Sequence, residues 1–179
     1  MRKIILILTL LLVFSACEKV EKELVLELEQ VVEQDDDRDP NTYYNENFDY
    51  NIALKEGFET EYLLEGEGIV LKRRDEYLDE DELSIPYTVE LGISAYENTL
   101  NYERLGDYLA AEYAGYTMDF DEKGVFVNED SNDCGIRSFI MMSDNMNVIY
   151  KAHLKVPRIR FNYHKEGFED WAKTLSLSD

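Results

Sequence analysis

Cysteine is nearly absent from this chain of 179 residues: Cys17 and Cys134 alone cannot supply the dense bridging that holds small secreted domains together. Proline (three) and glycine (nine) are also scarce, which removes collagen-like and low-complexity architectures. Positive charge is short as well. Eighteen Lys and Arg stand against 39 Asp and Glu, a net charge of -21, and a surface of that sign repels a phosphate backbone, so no nucleic-acid partner is expected. Histidine occurs twice, at His153 and His164, with no acid between residues 145 and 165, so no local zinc pattern or Ser/His/Asp signature can be drawn. There is no glycine-rich phosphate loop, and no cofactor is implied. The one long apolar run, residues 4–14, falls short of the roughly 20 residues that span a bilayer, which excludes a multi-span membrane protein. What remains is 45% apolar and 12% aromatic residues, enough to order one soluble domain.

That apolar run has a purpose of its own. Arg2 and Lys3 precede it, Thr9 is its single polar residue, and the small residues Ser15 and Ala16 follow, which is the layout of a signal peptide over residues 1–16. Phe14-Ser15-Ala16-Cys17 resembles the lipobox of bacterial lipoproteins, with Phe14 in place of the usual Leu. The resemblance implies cleavage before Cys17, a diacylated Cys17 as the mature N-terminus, and a membrane held through lipid. Several buried acyl chains, at about 0.8 kcal/mol per methylene, would anchor such a protein firmly. The alternative is an ordinary secretory signal that happens to contain a cysteine. Glu18 follows, not the Asp associated with inner-membrane retention, so the resemblance favours the outer membrane over the inner one. With Cys17 lipidated, Cys134 has no intramolecular partner and reads as a small core residue; a reactive thiol is the alternative. Loss of the leader removes two cations and no acids, moving the net charge to about -23, so charge would not attract the protein to anionic lipid.

Residues 17–47 form an acidic tether. From Glu18 to Asn47 there are eleven acids and three bases; Val20, Leu24, Leu28 and Val31 keep a helical spacing, and the run Asp35-Asp36-Asp37-Arg38-Asp39-Pro40 repels itself and ends any helix. Those aspartates could suggest calcium, but no glycine turn organises them, and a solvated spacer is the reading kept.

Residues 48–179 read as a single α+β domain. Phe48, Tyr50, Ile52 and Leu54 alternate with polar or small residues as in a strand, which Gly57 stops. Further strands are expected over 68–74 and 85–94, separated by an acidic loop at 75–82, with Pro86 marking a strand start or an edge. Asn98 is placed to cap a helix over 99–114, ended by Gly115. Strands at 116–120 and 125–128 flank a turn in which Gly124 would supply a positive φ; 135–142 and 147–156 form another hairpin, 158–163 extends the sheet, and Phe168, Trp171, Ala172 and Leu175 mark a closing helix. Hairpin-length connections require an antiparallel sheet, so the expected fold is an αβα sandwich: a largely antiparallel sheet packed by one central and one C-terminal helix.

From Phe48-Asp49-Tyr50-Asn51-Ile52-Ala53-Leu54-Lys55-Glu56-Gly57-Phe58 to Phe168-Glu169-Asp170-Trp171-Ala172-Lys173-Thr174-Leu175, this order is similar to the PsbP-like and Mog-like superfamily. The resemblance spans residues 48–177 through packing patterns that carry no chemistry, and it implies a non-catalytic binding scaffold.

Two patterns bear on chemistry. Residues 119–130 superficially follow an EF-hand loop, but Lys123 occupies an oxygen-ligand position, Asp130 ends the loop where Glu belongs, and the flanks read as strands, so a hairpin is expected. The second pattern is a row of cations: Lys151, His153 and Lys155 alternate with apolar residues, and Arg158 and Arg160 follow. Together with Lys72, Arg73 and Arg74, this region holds about half of the mature chain's cations. The row reads either as cross-strand pairing with acids such as Glu90 or as a docking surface for an acidic protein partner. The function expected is that of a membrane-anchored envelope lipoprotein acting as a non-catalytic binding or assembly module; the alternative is an envelope hydrolase using scattered carboxylates.

Overall fold

Strand-forming residues dominate the chain, and strands dominate the computed structural model, which describes residues 39–63, 67–129 and 133–177. The leader, Cys17 and the helical spacing of Val20 to Val31 lie outside the described residues. The folded unit runs from Pro40 to Asp179. It opens upstream of Phe48, because Thr42–Asn45 (β1) already pairs with Tyr50–Ala53 (β2).

The fold is α+β. Seven antiparallel strands form the main sheet: Glu59–Tyr62 (β3), Gly68–Leu78 (β4), Ser84–Glu97 (β5), Thr117–Phe120 (β6), Val125–Asn128 (β7), Cys134–Met142 (β8) and Val148–Pro157 (β9), in the spatial order β3-β4-β5-β9-β8-β7-β6. A second, smaller sheet joins β1 and β2 to Ser176–Leu177 (β10). Two helices complete the unit, Leu105–Glu112 (α1) and Phe161–Ala172 (α2).

The register sorts side chains by face. On β9, Tyr150, Ala152, Leu154 and Val156 point inward, level with Ile93, Leu91 and Phe139 on the neighbouring strands. Phe168, Trp171, Ala172 and Leu175 from the C-terminal segment and Tyr50 and Ile52 from β2 close over this inner face, forming the main core. Trp171 Nε1 donates to the Ala53 carbonyl at 2.6 Å, and Tyr150 Oη donates to the Phe48 carbonyl at 2.9 Å; these bonds fasten the small sheet to α2 and to β9. The outer face has its own core at one end only, where Tyr108, Leu109 and Tyr113 pack on Val125, Val127, Ile140 and Ile149.

Several local expectations change. β4 continues through Asp75 to Leu78, so the acidic loop shrinks to residues 79–83, where Asp79 Oδ1 accepts from the Asp81 and Leu83 amides. Pro86 lies where β5 has a single neighbour, since pairing with β9 begins at Glu90, and the missing donor costs the sheet nothing there. Asn98 does not cap a long helix. Its Oδ1 accepts from the Tyr102 amide and its Nδ2 donates to the Tyr102 and Met146 carbonyls, while Asn101 takes φ +54; side-chain competition for the backbone delays α1 to Leu105. Residues 158–163 do not extend the sheet. Pro157 ends β9, Arg158–Arg160 makes one 3-10 turn, and α2 follows, because Phe161, His164, Phe168 and Trp171 lie on one helical stripe and the Phe161 ring occupies the space left by Gly135. Residues 117–128 are a β-hairpin, as the strand-like flanks of the EF-hand-like segment suggest. Gly124 is not at positive φ, however: a Cβ there would stand 2.4 Å from the Ile140 carbonyl oxygen, so close approach of β8 is what demands glycine. Cys134 forms no disulfide and begins β8 half-buried, at the rim of a cleft and not in the core.

A candidate binding face on the outer side of the sheet

Alternation along β9 carries Lys151, His153 and Lys155 to the outer face, beyond the end that α1 covers. They do not form one uniform row. Lys151 Nζ lies 3.0 Å from Glu129 Oε1, and the buried Ser138 hydroxyl donates to the same carboxylate, so this lysine is committed to a local network. It also lies 5.4 Å from the centre of the Tyr113 ring, a cation–π contact.

His153 is opposite Gly92, and its ring lies over that residue: a Cβ on Gly92 would stand 2.1 Å from the imidazole. The glycine makes room for the ring, and the ring shields backbone that no side chain covers. His153 Nε2 reaches Glu90 Oε1 at 3.5 Å. The hydrogen bond from His153 holds the Glu90 carboxyl below its ordinary range, with Lys155 and Lys72 adding to the effect. Glu90 therefore serves this row as the cross-strand acid.

Lys155 alone of the three is exposed. It borders a cleft of about 480 Å³ lined by Lys72, Thr88, Glu90, Cys134 and Pro157, among others. Lys72 leans the other way, paired with Glu61 on edge strand β3.

Arg158 and Arg160 leave the row, since the chain departs from the sheet at Pro157. Arg158 is exposed. Arg160 turns to the inner-face side, its guanidinium 5.5, 5.8 and 4.8 Å from the ring centres of Tyr77, Tyr87 and Tyr163. Among the described residues no carboxylate forms an ion pair with Lys155, Arg158 or Arg160.

No protein-family model and no curated protein matches the chain.

Asp75, Glu90 and Asp121 are all held below the ordinary carboxylate range, by hydrogen bonds from Arg73, from His153 and from the Lys123 amide respectively. Among the described residues no three His, Cys, Asp or Glu side chains are grouped to hold a metal ion, and no helix is long and apolar enough to cross a membrane.

The inner face holds the groups that sequence reading passed over. Arg137, 2% exposed, donates to Asn128 Oδ1 at 2.6 Å and pairs with Glu169 at 2.7 Å and Asp119 at 2.9 Å, over the Phe126 ring. It ties β6, β7 and α2 together. His164 bonds Tyr87 Oη at 2.9 Å, and burial pushes its pKa down despite Asp75 nearby. The one signal for Arg137 in the sequence is that it shares its face of β8 with Phe139 and Met141.

Proposed function

We propose that this chain is a lipid-anchored protein of the bacterial cell envelope whose domain is a non-catalytic binding or assembly module for an acidic protein partner. The leader and the lipobox-like Phe14-Ser15-Ala16-Cys17 support the anchor, with the outer membrane as its place. The observation that carries the binding reading is the half of the sheet's outer face that α1 leaves uncovered, with exposed Lys155 at the edge of its cleft and exposed Arg158 close by in sequence. On a chain of net charge -21, two exposed cations that make no direct ion pair among the described residues, Lys155 with Glu90 as its cross-strand neighbour, form a local exception that a matching acidic segment can use while most acidic proteins are repelled.

The test has two arms. Mass spectrometry of the membrane fraction is expected to find Cys17 as an acylated N-terminus, and an exported product starting elsewhere, or an unmodified Cys17, refutes the anchor. Crosslinking in native membranes is expected to capture a protein partner, with capture weakened by salt, since exposed charges are screened over about 8 Å at physiological ionic strength. Lys155→Glu with Arg158→Glu should abolish capture and leave the fold intact. Undiminished capture rejects this surface. Lys151 and Arg160 are unsuitable for such reversal, because one neutralises Glu129 and the other is stacked among tyrosines.

A further inference from the structure

A second concavity lies at the end of the outer face that α1 covers. It has a volume of about 270 Å³ and is walled by the rings of Tyr96, Tyr102 and Tyr108, with Ile149 among its lining residues and Glu97 and Glu112 as its charged members. No Lys, Arg or His lines it. The Tyr102 and Tyr108 rings pack edge to face, 5.5 Å apart at 77°. The hydroxyls are already engaged. Tyr96 and Tyr108 bond each other at 2.5 Å, and Tyr102 donates to Glu112 Oε1 at 3.0 Å. Burial and these carboxylate and phenol neighbours raise the pKa of all three phenols, so the rings stay neutral at physiological pH.

These facts select a ligand class. Three tyrosines line the pocket, two carboxylates add negative potential, and the chain's net charge of -21 attracts cations from a distance. An anion would be repelled. The volume suits a small head group and falls below that of pockets for larger ligands. Lys151 is held by Glu129 over Tyr113, which does not line the pocket, and its charge also acts on the Tyr96 hydroxyl, where Glu112 opposes it.

We propose that this tyrosine-walled pocket is a binding site for a quaternary ammonium group, with Tyr96, Tyr102 and Tyr108 as the aromatic cage and Glu112 as its counter-charge. The site requires neither lipid on Cys17 nor a protein partner, so its failure and that of the anchored-module reading are separable.

Calorimetric titration of the full chain with choline chloride, beside its uncharged isostere 3,3-dimethyl-1-butanol, tests it. Choline is expected to bind at least about tenfold more tightly than the isostere, the contribution of a desolvated cation–π contact. Tyr102→Ala should weaken choline at least about fivefold and Tyr102→Phe far less, because the ring face is retained. Glu112 is exposed, so Glu112→Gln leaves the fold in place, and it should weaken choline about threefold without affecting the isostere. Choline and isostere binding equally, or no choline binding by the wild-type chain at tens of millimolar, overturns the proposal. If Tyr102→Ala does not fold, the Glu112→Gln and isostere comparisons decide. Phosphatidylcholine vesicles against free choline then distinguish a lipid head group from a soluble ligand: competition by vesicles assigns the lipid source, and its absence assigns the soluble one.

Discussion

Among the described residues Arg137 is the only charged side chain that is fully enclosed, and Arg137→Met removes its charge while keeping most of its length. Asn128 and Asp119 lose a donor, and Glu169 loses its closest counter-charge and keeps, among the described residues, only Lys165 at 3.9 Å. Asp119 is 55% exposed and returns to water, so its pair contributes less than about 1 kcal/mol. Glu169 is 25% exposed and Asn128 half-buried, and these two dominate the cost. Stranding one partner of a buried pair costs about 3–5 kcal/mol; the residual exposure of Glu169 reduces that to about 2–3 kcal/mol. For a domain of this size, with total stability of about 5–15 kcal/mol, the change lowers Tm by roughly 6–12 °C. Urea unfolding followed by Trp171 fluorescence measures it, since this single tryptophan is 5% exposed and reports on the packing of α2. Adding Glu169→Leu should recover at least half of the loss, because a buried ion pair can be replaced by apolar contact once both charges go. A single variant within about 0.5 kcal/mol of wild type would refute the enclosed-network argument. A double variant no more stable than the single would place the cost in lost packing on Phe126.

Gly92→Ala should destabilise by about 1–3 kcal/mol, because its methyl would displace the His153 ring from Glu90; combined with His153→Ala it should cost less than the sum of the two, as thermal unfolding would show. Stability should also fall with pH in two separate windows. The half-buried His164 has its folded pKa pushed below the ordinary 6.5, so its neutral form is favoured by folding; that contribution is complete above about pH 6.5 and is lost as pH drops through the folded value. Asp75 and Glu90, held below their ordinary range, contribute above about pH 4.5, and their share is lost at lower pH as they take up protons. His164→Phe should flatten Tm between pH 7 and 5 and leave the acid limb intact, and an unchanged upper window would show that another group titrates there.

The alternation of Tyr87, Val89, Leu91 and Ile93, and of Ala152, Leu154 and Val156, determined by itself that these segments are strands with one buried face, since side chains of a strand alternate across the sheet whatever it packs against. Hairpin-length connections likewise made the sheet antiparallel and the fold α+β. The sequence also placed Lys151, His153 and Lys155 on one face. Only the tertiary structure decided what that face does, because the acids that claim Lys151 and His153 arrive from elsewhere in the chain: Glu129 from beyond β7 and Glu90 from β5. Segment 158–163 could alternate as a strand or wind as a helix on local grounds; Pro157 and the space that Gly135 leaves for Phe161 settled the matter. Arg137 was hidden for the same reason. A charge is enclosed only when partners from three separate elements converge on it, and convergence of that kind is a property of packing, not of spacing along the chain.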